Sequence, residues 1–251
     1  MADQEITLKV QRFDPTADTQ PYWQTYKVKT RSGMTVLDAL FEVLNYQDGT
    51  LAFRFCCRAG VCGSCAMVIS GKVRLACETQ VATLLGKNEI LLSPLPHQKI
   101  VKDLAVDYDL FFDRLKAVKP YLVGKEPYPE KEYIQMPKER VPINDPIDCI
   151  MCGSCTSTCT MAWLNKGYLG PAALLKSYRF LVDTRDTIPE ERLDIIESED
   201  GVFRCHTQFN CVEVCPKKLN PTEAIQRQKI KLIKRKLFGR KRKSRRTEPK
   251  T

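Results

Sequence analysis

Alternating apolar and polar positions near the N-terminus predict two strands that pair as a hairpin. Ile6, Leu8 and Val10 alternate with polar residues, and a run of similar character covers residues 22–28 after a polar turn that contains Pro15. Neighbouring side chains on a strand point to opposite faces, so this alternation is typical of a sheet with one buried face. About the first 95 residues are therefore expected to be rich in β-structure.

The next apolar pattern changes its period and predicts a helix. Thr35 and Asp38 have the spacing of a capping box, in which each side chain accepts a hydrogen bond from the other residue's backbone N–H. The apolar residues that follow recur every three or four positions and so share one helix face: Val36, Leu37, Leu40, Phe41 and Leu44. After a loop over residues 54–65, two short strands joined at Ser70-Gly71 are expected to lead to Cys77.

Beyond Pro94 and Pro96 the apolar pattern becomes helical, which indicates a domain boundary. Residues at helical spacing predict that a helix opens the second domain: Val101, Leu104, Tyr108, Phe111 and Leu115. Six prolines between residues 120 and 146 predict an extended, irregular connection, because proline lacks the N–H that a helix interior needs. Further helices are expected to begin at Pro171 and at Asn220-Pro221, since proline suits the first helical turn.

Eleven of the twelve cysteines fall into three groups whose spacings are those of iron–sulfur ligands. The first group has the plant-type spacing for one [2Fe–2S] cluster: Cys57, Cys62, Cys65 and Cys77. The second has the bacterial ferredoxin spacing: Cys149, Cys152, Cys155 and Cys159. The third repeats the second after 56 residues with one member fewer: Cys205, Cys211 and Cys215. Gln208 stands at the position that corresponds to Cys152.

The repeat predicts how the thiols are shared between two clusters. In two-cluster ferredoxins the fourth cysteine of a run ligates the other cluster. One site is therefore expected to be a complete [4Fe–4S] set: Cys149, Cys152, Cys155 and Cys215. The other has only three thiolates: Cys159, Cys205 and Cys211. A glutamine oxygen is a poor ligand for the soft iron corner of a thiolate site, so Gln208 predicts a [3Fe–4S] cluster.

Other uses of the cysteines fit less well. Zinc sites also use Cys-x2-Cys pairs, but four cysteines within eleven residues leave little room for a closed tetrahedral site. A disulfide framework is disfavoured because a chain of 251 residues can bury a core without crosslinks, and we expect no secretory leader. Cys56, which is left over, is expected to be a small buried residue beside the first cluster.

These patterns predict an α+β protein with two domains. Residues 1–98 are expected to form a β-grasp domain of the [2Fe–2S] ferredoxin type. Residues 99–237 are expected to form an α-helical ferredoxin domain with the [4Fe–4S] and [3Fe–4S] clusters. Residues 238–251 are expected to be a basic tail.

The net charge of +10 is concentrated near the C-terminus, because residues 227–246 hold twelve Lys/Arg and no Asp or Glu. Such a run is typical of a solvated tail or of contact with anionic lipid headgroups. No nucleic-acid-binding module accompanies the charge, so no nucleic-acid partner is expected. No apolar run approaches the length that spans a bilayer, so membrane attachment is expected to come through partners.

Several ordered motifs match one family over nearly the whole chain. The three cysteine segments read RFCCRAGVCGSC at residues 54–65, DCIMCGSC at 148–155 and RCHTQFNC at 204–211. Three further segments match as well: GPAALL at 170–175, SYRFLVD at 177–183 and LNPTEAI at 219–225. The chain resembles the iron–sulfur subunits of succinate dehydrogenase and fumarate reductase, respiratory complex II.

The resemblance implies the electron-transfer subunit of a succinate:quinone oxidoreductase. Family members dock on a flavoprotein whose FAD oxidises succinate or reduces fumarate. They pass electrons through [2Fe–2S], [4Fe–4S] and [3Fe–4S] clusters to quinone beside cytochrome b-like membrane-anchor subunits. The expected location is peripheral, on the cytoplasmic face of a bacterial or archaeal inner membrane, with the mitochondrial matrix side as the alternative.

The resemblance also implies a quinone-side role for Trp163 and His206. Many members have proline where Thr160 stands, tryptophan at Leu164 and an aliphatic residue at Gln208. The alternative within the same chemistry is an iron–sulfur subunit of another flavoprotein system, of the fumarate-reducing, heterodisulfide or glycolate type. The latter two generally keep a fourth cysteine where Gln208 stands. A nucleic-acid-binding protein with structural clusters is a third hypothesis, disfavoured by the intact [2Fe–2S] motif.

Overall fold

The computed structural model describes residues 5–84, 86 and 89–238. Within them, one mixed sheet is built from five strands: β1 (Glu5–Arg12), β2 (Tyr22–Lys29), β3 (Ala66–Ile69), β4 (Lys72–Leu75) and β5 (Glu89–Ser93). Their order across the sheet is β2-β1-β5-β3-β4. β1 and β2 pair antiparallel as the predicted hairpin, with Leu8 opposite Tyr26. β1 also runs parallel to β5, so the N-terminal strand lies inside the sheet.

Helix α1 (Val36–Tyr46) packs against this sheet and completes the predicted β-grasp. Its capping box is formed as expected: the Asp38 N–H donates to Thr35 Oγ1 over 3.1 Å, and the Thr35 N–H donates to Asp38 Oδ2 over 2.9 Å. One face of the helix is buried in a core shared with the inner strands, through residues that include Leu37, Leu40 and Val43. The helix and both hairpins therefore follow directly from the apolar patterns.

The prediction of a helix over residues 101–115 is wrong in its first half. Residues Ile100–Lys102 (β6) and Ala105–Val106 (β7) form a small hairpin, and helix α2 begins only at Asp109. Asp103 turns the hairpin with φ +47°, and its carboxylate accepts hydrogen bonds from Arg12 Nε at 2.9 Å and from the Ala52 N–H at 2.9 Å. Because these partners come from distant parts of the chain, the local apolar period could not reveal the turn.

By its packing, this hairpin belongs with the N-terminal half. Leu104 and Val106 are buried in the same core as β1 and α1. The Leu104 N–H donates to the Ala52 carbonyl over 3.1 Å. We therefore propose that the first domain extends to about residue 107, beyond the predicted boundary at residue 98.

The helical half is built around α6 (Gly170–Leu181) and α9 (Pro221–Phe238), which pack against each other. Both begin where the sequence predicts; the Glu223 N–H donates to the Asn220 side chain over 2.9 Å. The other helices of this half are α2 (Asp109–Ala117), α3 (Pro137–Ile147), α4 (Ser154–Ser157), α5 (Thr160–Leu164), α7 (Pro189–Ile196) and α8 (Asn210–Glu213). The predicted α+β architecture, a β-grasp followed by a helical unit, is thus confirmed.

The proline-rich connection is also more ordered than expected, because its last part is helix α3. Pro137 occupies the first turn, and Glu139 Oε2 accepts a hydrogen bond from the Met136 N–H over 2.8 Å. Two prolines lie inside the helix: Pro142 is exposed, so the Lys138 carbonyl that it leaves unbonded can be hydrated, whereas Pro146, near the C-terminal end, is buried. The prediction of irregular structure over residues 137–147 is therefore wrong.

Most of the predicted basic tail, residues 239–251, lies outside the described residues. In the part of the chain that is described, no helix is both long and apolar enough to cross a membrane.

Candidate metal centres

The first cysteine group surrounds a loop whose backbone amides point at sulfur. Cys57 Sγ accepts hydrogen bonds from the N–H groups of Ala59, Val61 and Cys62, at 3.4, 3.3 and 3.2 Å. Gly60 adopts φ +66°, which lets the loop curve tightly around this sulfur. Amides directed at sulfur stabilise the thiolate form that iron binds.

The other two thiols of this group are placed by the β3–β4 hairpin. Cys65 immediately precedes β3 and Cys77 follows β4, and the Cys77 N–H donates to Cys65 Sγ over 3.5 Å. Both residues are buried. Burial raises the pKa of Cys65 to about 12, whereas at Cys62 burial is outweighed by hydrogen bonds from the Cys57 amide and Ser64, which lower the pKa to about 6. The structure thus joins the four predicted [2Fe–2S] thiols in two pairs, Cys57 with Cys62 and Cys65 with Cys77, each through a backbone amide that donates to the partner's sulfur.

Cys56 is exposed, so the expectation that it is buried is wrong. Its neighbour Cys57 turns its sulfur towards the loop amides. The apolar packing near this point is supplied instead by Phe41, Phe53 and Phe55, whose rings meet at centroid distances of 4.6–5.6 Å.

A cavity in the helical half is lined by the predicted four-thiol set: Cys149, Cys152, Cys155 and Cys215. The first three come from one loop, which turns through left-handed backbone at Met151 (φ +54°) and Gly153 (φ +79°). Cys215 comes from the other cysteine run, and its sulfur accepts a hydrogen bond from the Leu219 N–H over 3.3 Å. The grouping across two runs is the one that the repeat predicts.

A second cavity is lined by the predicted three-thiol set: Cys159, Cys205 and Cys211. Gln208 lines the same cavity, at the place where the repeat lacks a cysteine. The loop turns at Thr207 (φ +58°) and Phe209 (φ +64°), 56 residues after the corresponding turns of the first loop. Helices α4 and α8, which follow the two turns, are related by the same shift. The sequence repeat is therefore also a repeat of backbone geometry.

The electrostatics of both cavities suit a positively charged occupant. Burial raises the pKa of the thiols of Cys149, Cys152, Cys155, Cys159 and Cys211, and most of these thiols also raise one another's pKa by charge repulsion. Several buried thiolates can coexist only if cations neutralise them, and bound metal deprotonates a thiol outright. Among the described residues no three Cys, His, Asp or Glu side chains converge on a point suited to a single ion. The donors instead lie around cavities, as a cluster of several irons requires.

The two halves of the chain touch at the first helical loop. A Cβ atom on Gly63, in the [2Fe–2S] loop, would lie 2.6 Å from Cys152 Cβ, so the two backbones meet where only glycine fits. The Tyr108 hydroxyl donates to the Cys152 carbonyl over 3.1 Å. No local pattern predicts this contact, because the partners are separated by more than 40 residues.

Comparison with known proteins places both halves in one family. Residues 7–113 match the family model described as a 2Fe-2S iron–sulfur cluster binding domain, and residues 141–216 match the one described as a 4Fe-4S dicluster domain. The chain is 42% identical over 228 residues to the succinate dehydrogenase iron–sulfur subunit of Paracoccus denitrificans, covering 90% of this chain and 87% of that protein. It is 43% identical over 224 residues to the mitochondrial succinate dehydrogenase [ubiquinone] iron–sulfur subunit 1 of Oryza sativa, covering 87% and 79% of the two chains.

This chain belongs to the succinate dehydrogenase iron–sulfur subunits. A chain of the Mycobacterium smegmatis Sdh1 complex has the same fold, with a TM-score of 0.86 and 25% identity over 94% of this chain and 98% of that one. The predicted family, iron–sulfur cofactors and electron-transfer role are confirmed. A three-iron cluster is typical of succinate dehydrogenase iron–sulfur subunits.

In this succinate dehydrogenase subunit the two predicted quinone-side residues have different surroundings. His206 lines the three-thiol cavity. Trp163, on α5, is half-exposed and stacks on His97, with ring centroids 4.0 Å apart and planes 19° from parallel. Burial, followed by the charge of Lys166, lowers the pKa of His97 and favours its neutral form. His97 was not identified from the sequence, because it lies in the connection after β5, far from the cysteine motifs.

Proposed function

We propose that this chain relays electrons one at a time between a flavoprotein subunit that holds FAD and quinone bound beside membrane-anchor subunits. The observation that carries the proposal is the pair of adjacent cavities, one lined by four thiols and the other by three. When bound, the clusters supply one-electron transfer, which is needed because flavin and quinone each exchange two electrons. The chain's own residues hold the donors, direct amides at sulfur and limit the access of water.

The thiols that line each cavity are proposed to be the ligands of the cluster in that cavity. The four-thiol cavity would hold [4Fe–4S] and the three-thiol cavity [3Fe–4S], with Gln208 beside the absent iron. The [2Fe–2S] ligands would be Cys57, Cys62, Cys65 and Cys77. Thiols grouped by cavity and amides directed at Cys57 support this assignment.

The order of electron transfer is proposed from the way that the loops are covered. Cys152 and Gly153 of the first loop are buried, against the [2Fe–2S] loop at Gly63 and against Tyr108. Gln208 and Phe209, at the equivalent positions of the second loop, are exposed. The four-thiol site would therefore lie between the [2Fe–2S] site and the three-thiol site, and the three-thiol site would face the acceptor.

The quinone side is proposed to include His206 and Trp163. His206 is exposed at the rim of the three-thiol cavity, where it can reach a ligand in a neighbouring subunit. Trp163 follows the cavity residue Cys159 by one helical turn, and the backbone N–H of Trp163 donates to the Cys159 carbonyl over 3.1 Å. His97, stacked on Trp163, would fix the orientation of the indole ring.

The complex is proposed to oxidise succinate in its flavoprotein subunit. The iron–sulfur chain described here would lie at the membrane surface, on the cytoplasmic face, held by membrane-anchor subunits. The three-thiol cavity, with Gln208 where the repeat lacks a cysteine, argues against the heterodisulfide and glycolate types of flavoprotein system. Contact of the basic tail with anionic lipid stays a prediction.

Low-temperature EPR of the complex, with an iron and sulfide count, tests the proposal. We expect about nine irons and a three-iron signal in the oxidised sample. Gln208→Cys should raise the iron count by about one, replace the three-iron signal with a four-iron one and slow quinone reduction. Gln208→Ser, which offers no thiol, should leave the three-iron signal in place. If Gln208→Cys keeps the three-iron signal, the vacant corner does not lie at residue 208.

A further inference from the structure

Helix α9 carries a second apolar stripe on the side that faces away from the protein. Its inward side is buried through Ile225 and Leu232. On the outward side Ile230, Ile233 and Leu237 are 52%, 46% and 70% exposed. Their spacing of three and four residues places them in one row along the helix. A row of three exposed aliphatic side chains on a helix that is otherwise rich in lysine indicates a surface with a partner.

The charges that flank this row are only partly neutralised within the protein. Among the helix's basic residues, Arg227 pairs with Glu223, and Arg235 and Lys236 pair with acidic residues of α7 and with Glu197. Lys229, Lys231 and Lys234 have no acidic partner among the described residues, although Lys229 and Lys231 donate to the carbonyls of Cys205 and Leu181. The sequence after the helix adds six Lys/Arg by residue 246 and no acid. A surplus of positive charge therefore accompanies the apolar row.

We propose that the outward face of α9 lies on an anionic lipid surface. Apolar side chains of an interfacial helix enter the boundary between headgroups and acyl chains, while lysine stems extend so that their ammonium groups meet the headgroups. A nucleic acid would use the positive charge but would leave Ile230, Ile233 and Leu237 in water. A protein partner would need acidic groups opposite Lys234 and the basic run that follows the helix, in addition to an apolar groove, so the lipid surface matches both features most simply.

The position of the helix gives this contact a consequence for function. Lys229 Nζ donates to the Cys205 carbonyl over 2.8 Å, and Gln226 Nε2 donates to Thr207 Oγ1 over 2.8 Å. Thr222 and Ile225 of α9 also line the three-thiol cavity. A helix lying on the membrane would therefore hold this cavity close to the lipid phase in which quinone dissolves. This attachment would act in addition to that provided by anchor subunits.

Vesicle flotation of the purified full chain, prepared without air and with its iron content checked, tests the proposal. The probes are vesicles of phosphatidylcholine alone and vesicles with about one third phosphatidylglycerol. We expect binding to the anionic vesicles to be about tenfold stronger or more, and to weaken as salt is raised. The outcome does not depend on succinate or quinone chemistry, so it separates this proposal from the proposed function.

Two triple variants test whether vesicle binding depends on the apolar row of α9 or on exposed apolar side chains in general. Ile230→Gln, Ile233→Gln and Leu237→Gln together should weaken binding to anionic vesicles about tenfold or more, because three aliphatic groups no longer enter the lipid. The control, Leu110→Gln, Ile134→Gln and Val141→Gln, changes three apolar residues that are exposed elsewhere on the protein (41%, 87% and 67%) and should bind like the parent. Lys231→Gln with Lys234→Gln should weaken binding and reduce its salt dependence.

A further variant covers the case in which the first triple variant fails to fold. Leu237→Trp keeps an apolar side chain, and brominated lipid in the anionic vesicles should quench its fluorescence beyond that of the parent. The proposal is overturned if this quenching is absent. It is equally overturned if the row variant binds like the parent while deletion of residues 239–251 abolishes binding, since the tail alone would then carry the contact. Equal binding to both vesicle types would also overturn it.

Discussion

The two cysteine loops of the helical half have the same backbone geometry but different surroundings. Met151 and Thr207 both adopt positive φ, at +54° and +58°, and so do Gly153 and Phe209, at +79° and +64°. Each loop leads into a short helix, and all of these features are separated by 56 residues. The chain has therefore kept the geometry of a cluster-binding loop twice.

Equivalent residues of the two loops differ in how deeply they are buried. Cys152 is buried beside Gly63 of the N-terminal half, whereas Gln208 is exposed. The first loop is thus enclosed by its own chain, while the second is left open at the surface. The difference teaches that ligand spacing preserves the shape of a loop, and that its neighbours decide whether the loop is enclosed or left open to a partner.

The largest expected effect comes from removing a thiol that one cysteine run contributes to the cavity of the other run. Cys215→Ser should remove the four-iron signal and leave the three-iron signal, although Cys215 belongs to the second run. Cys159→Ser should do the reverse, because its sulfur lies in the other cavity. Iron content and low-temperature EPR measure both results, and Cys56→Ser should leave them unchanged. If each substitution removed the cluster of its own run, the crossed assignment would be wrong.

A smaller effect is expected at the contact that encloses the first loop. Gly63→Ala would place a Cβ atom 2.6 Å from Cys152 Cβ at φ +72°, so we expect a loss of about 2–4 kcal/mol of stability. Gly71→Ala is the matched control, since Gly71 has φ +83° but no atom within 4 Å of the added Cβ. It should cost only about 1 kcal/mol, from backbone strain. Anaerobic thermal unfolding compares them, and equal losses would contradict the proposed tight contact.

The smallest expected effect compares the equivalent turn residues directly. Gly153→Ala should lose about 1–2 kcal/mol, because the position has positive φ and the added Cβ would lie 2.9 Å from Tyr108 Cε1. Phe209→Leu, at the same turn of the open loop, should change stability by less than about 0.5 kcal/mol. Phe209 is already a non-glycine residue at positive φ, and its side chain is half-exposed. Melting temperatures that fall equally for the two variants would show that enclosure makes no difference.

Local patterns predicted the elements that depend on neighbouring residues. The capping box of Thr35 and Asp38 and the Asn220 cap of α9 follow from contacts within a few positions, and α6 has the predicted proline in its first turn. The hairpin at residues 100–106 escaped prediction because Asp103 is held by Arg12 and Ala52. Helix α3 escaped it because proline is tolerated in the first turn of a helix, where Pro137 lies, so proline content alone does not exclude a helix.

The sequence by itself determined the chemistry of this protein: the number of thiols, the spacing that divides them between two cavities, and the glutamine that stands in one cavity where the repeat lacks a cysteine. Spacing along a chain can do this because the ligands of one loop lie within a few residues. Only the tertiary structure decided which loop is enclosed, that Trp163 stacks on His97, and that α9 exposes an apolar row. These features depend on residues that are far apart in the chain, or on faces that packing leaves uncovered, and neither produces a local pattern.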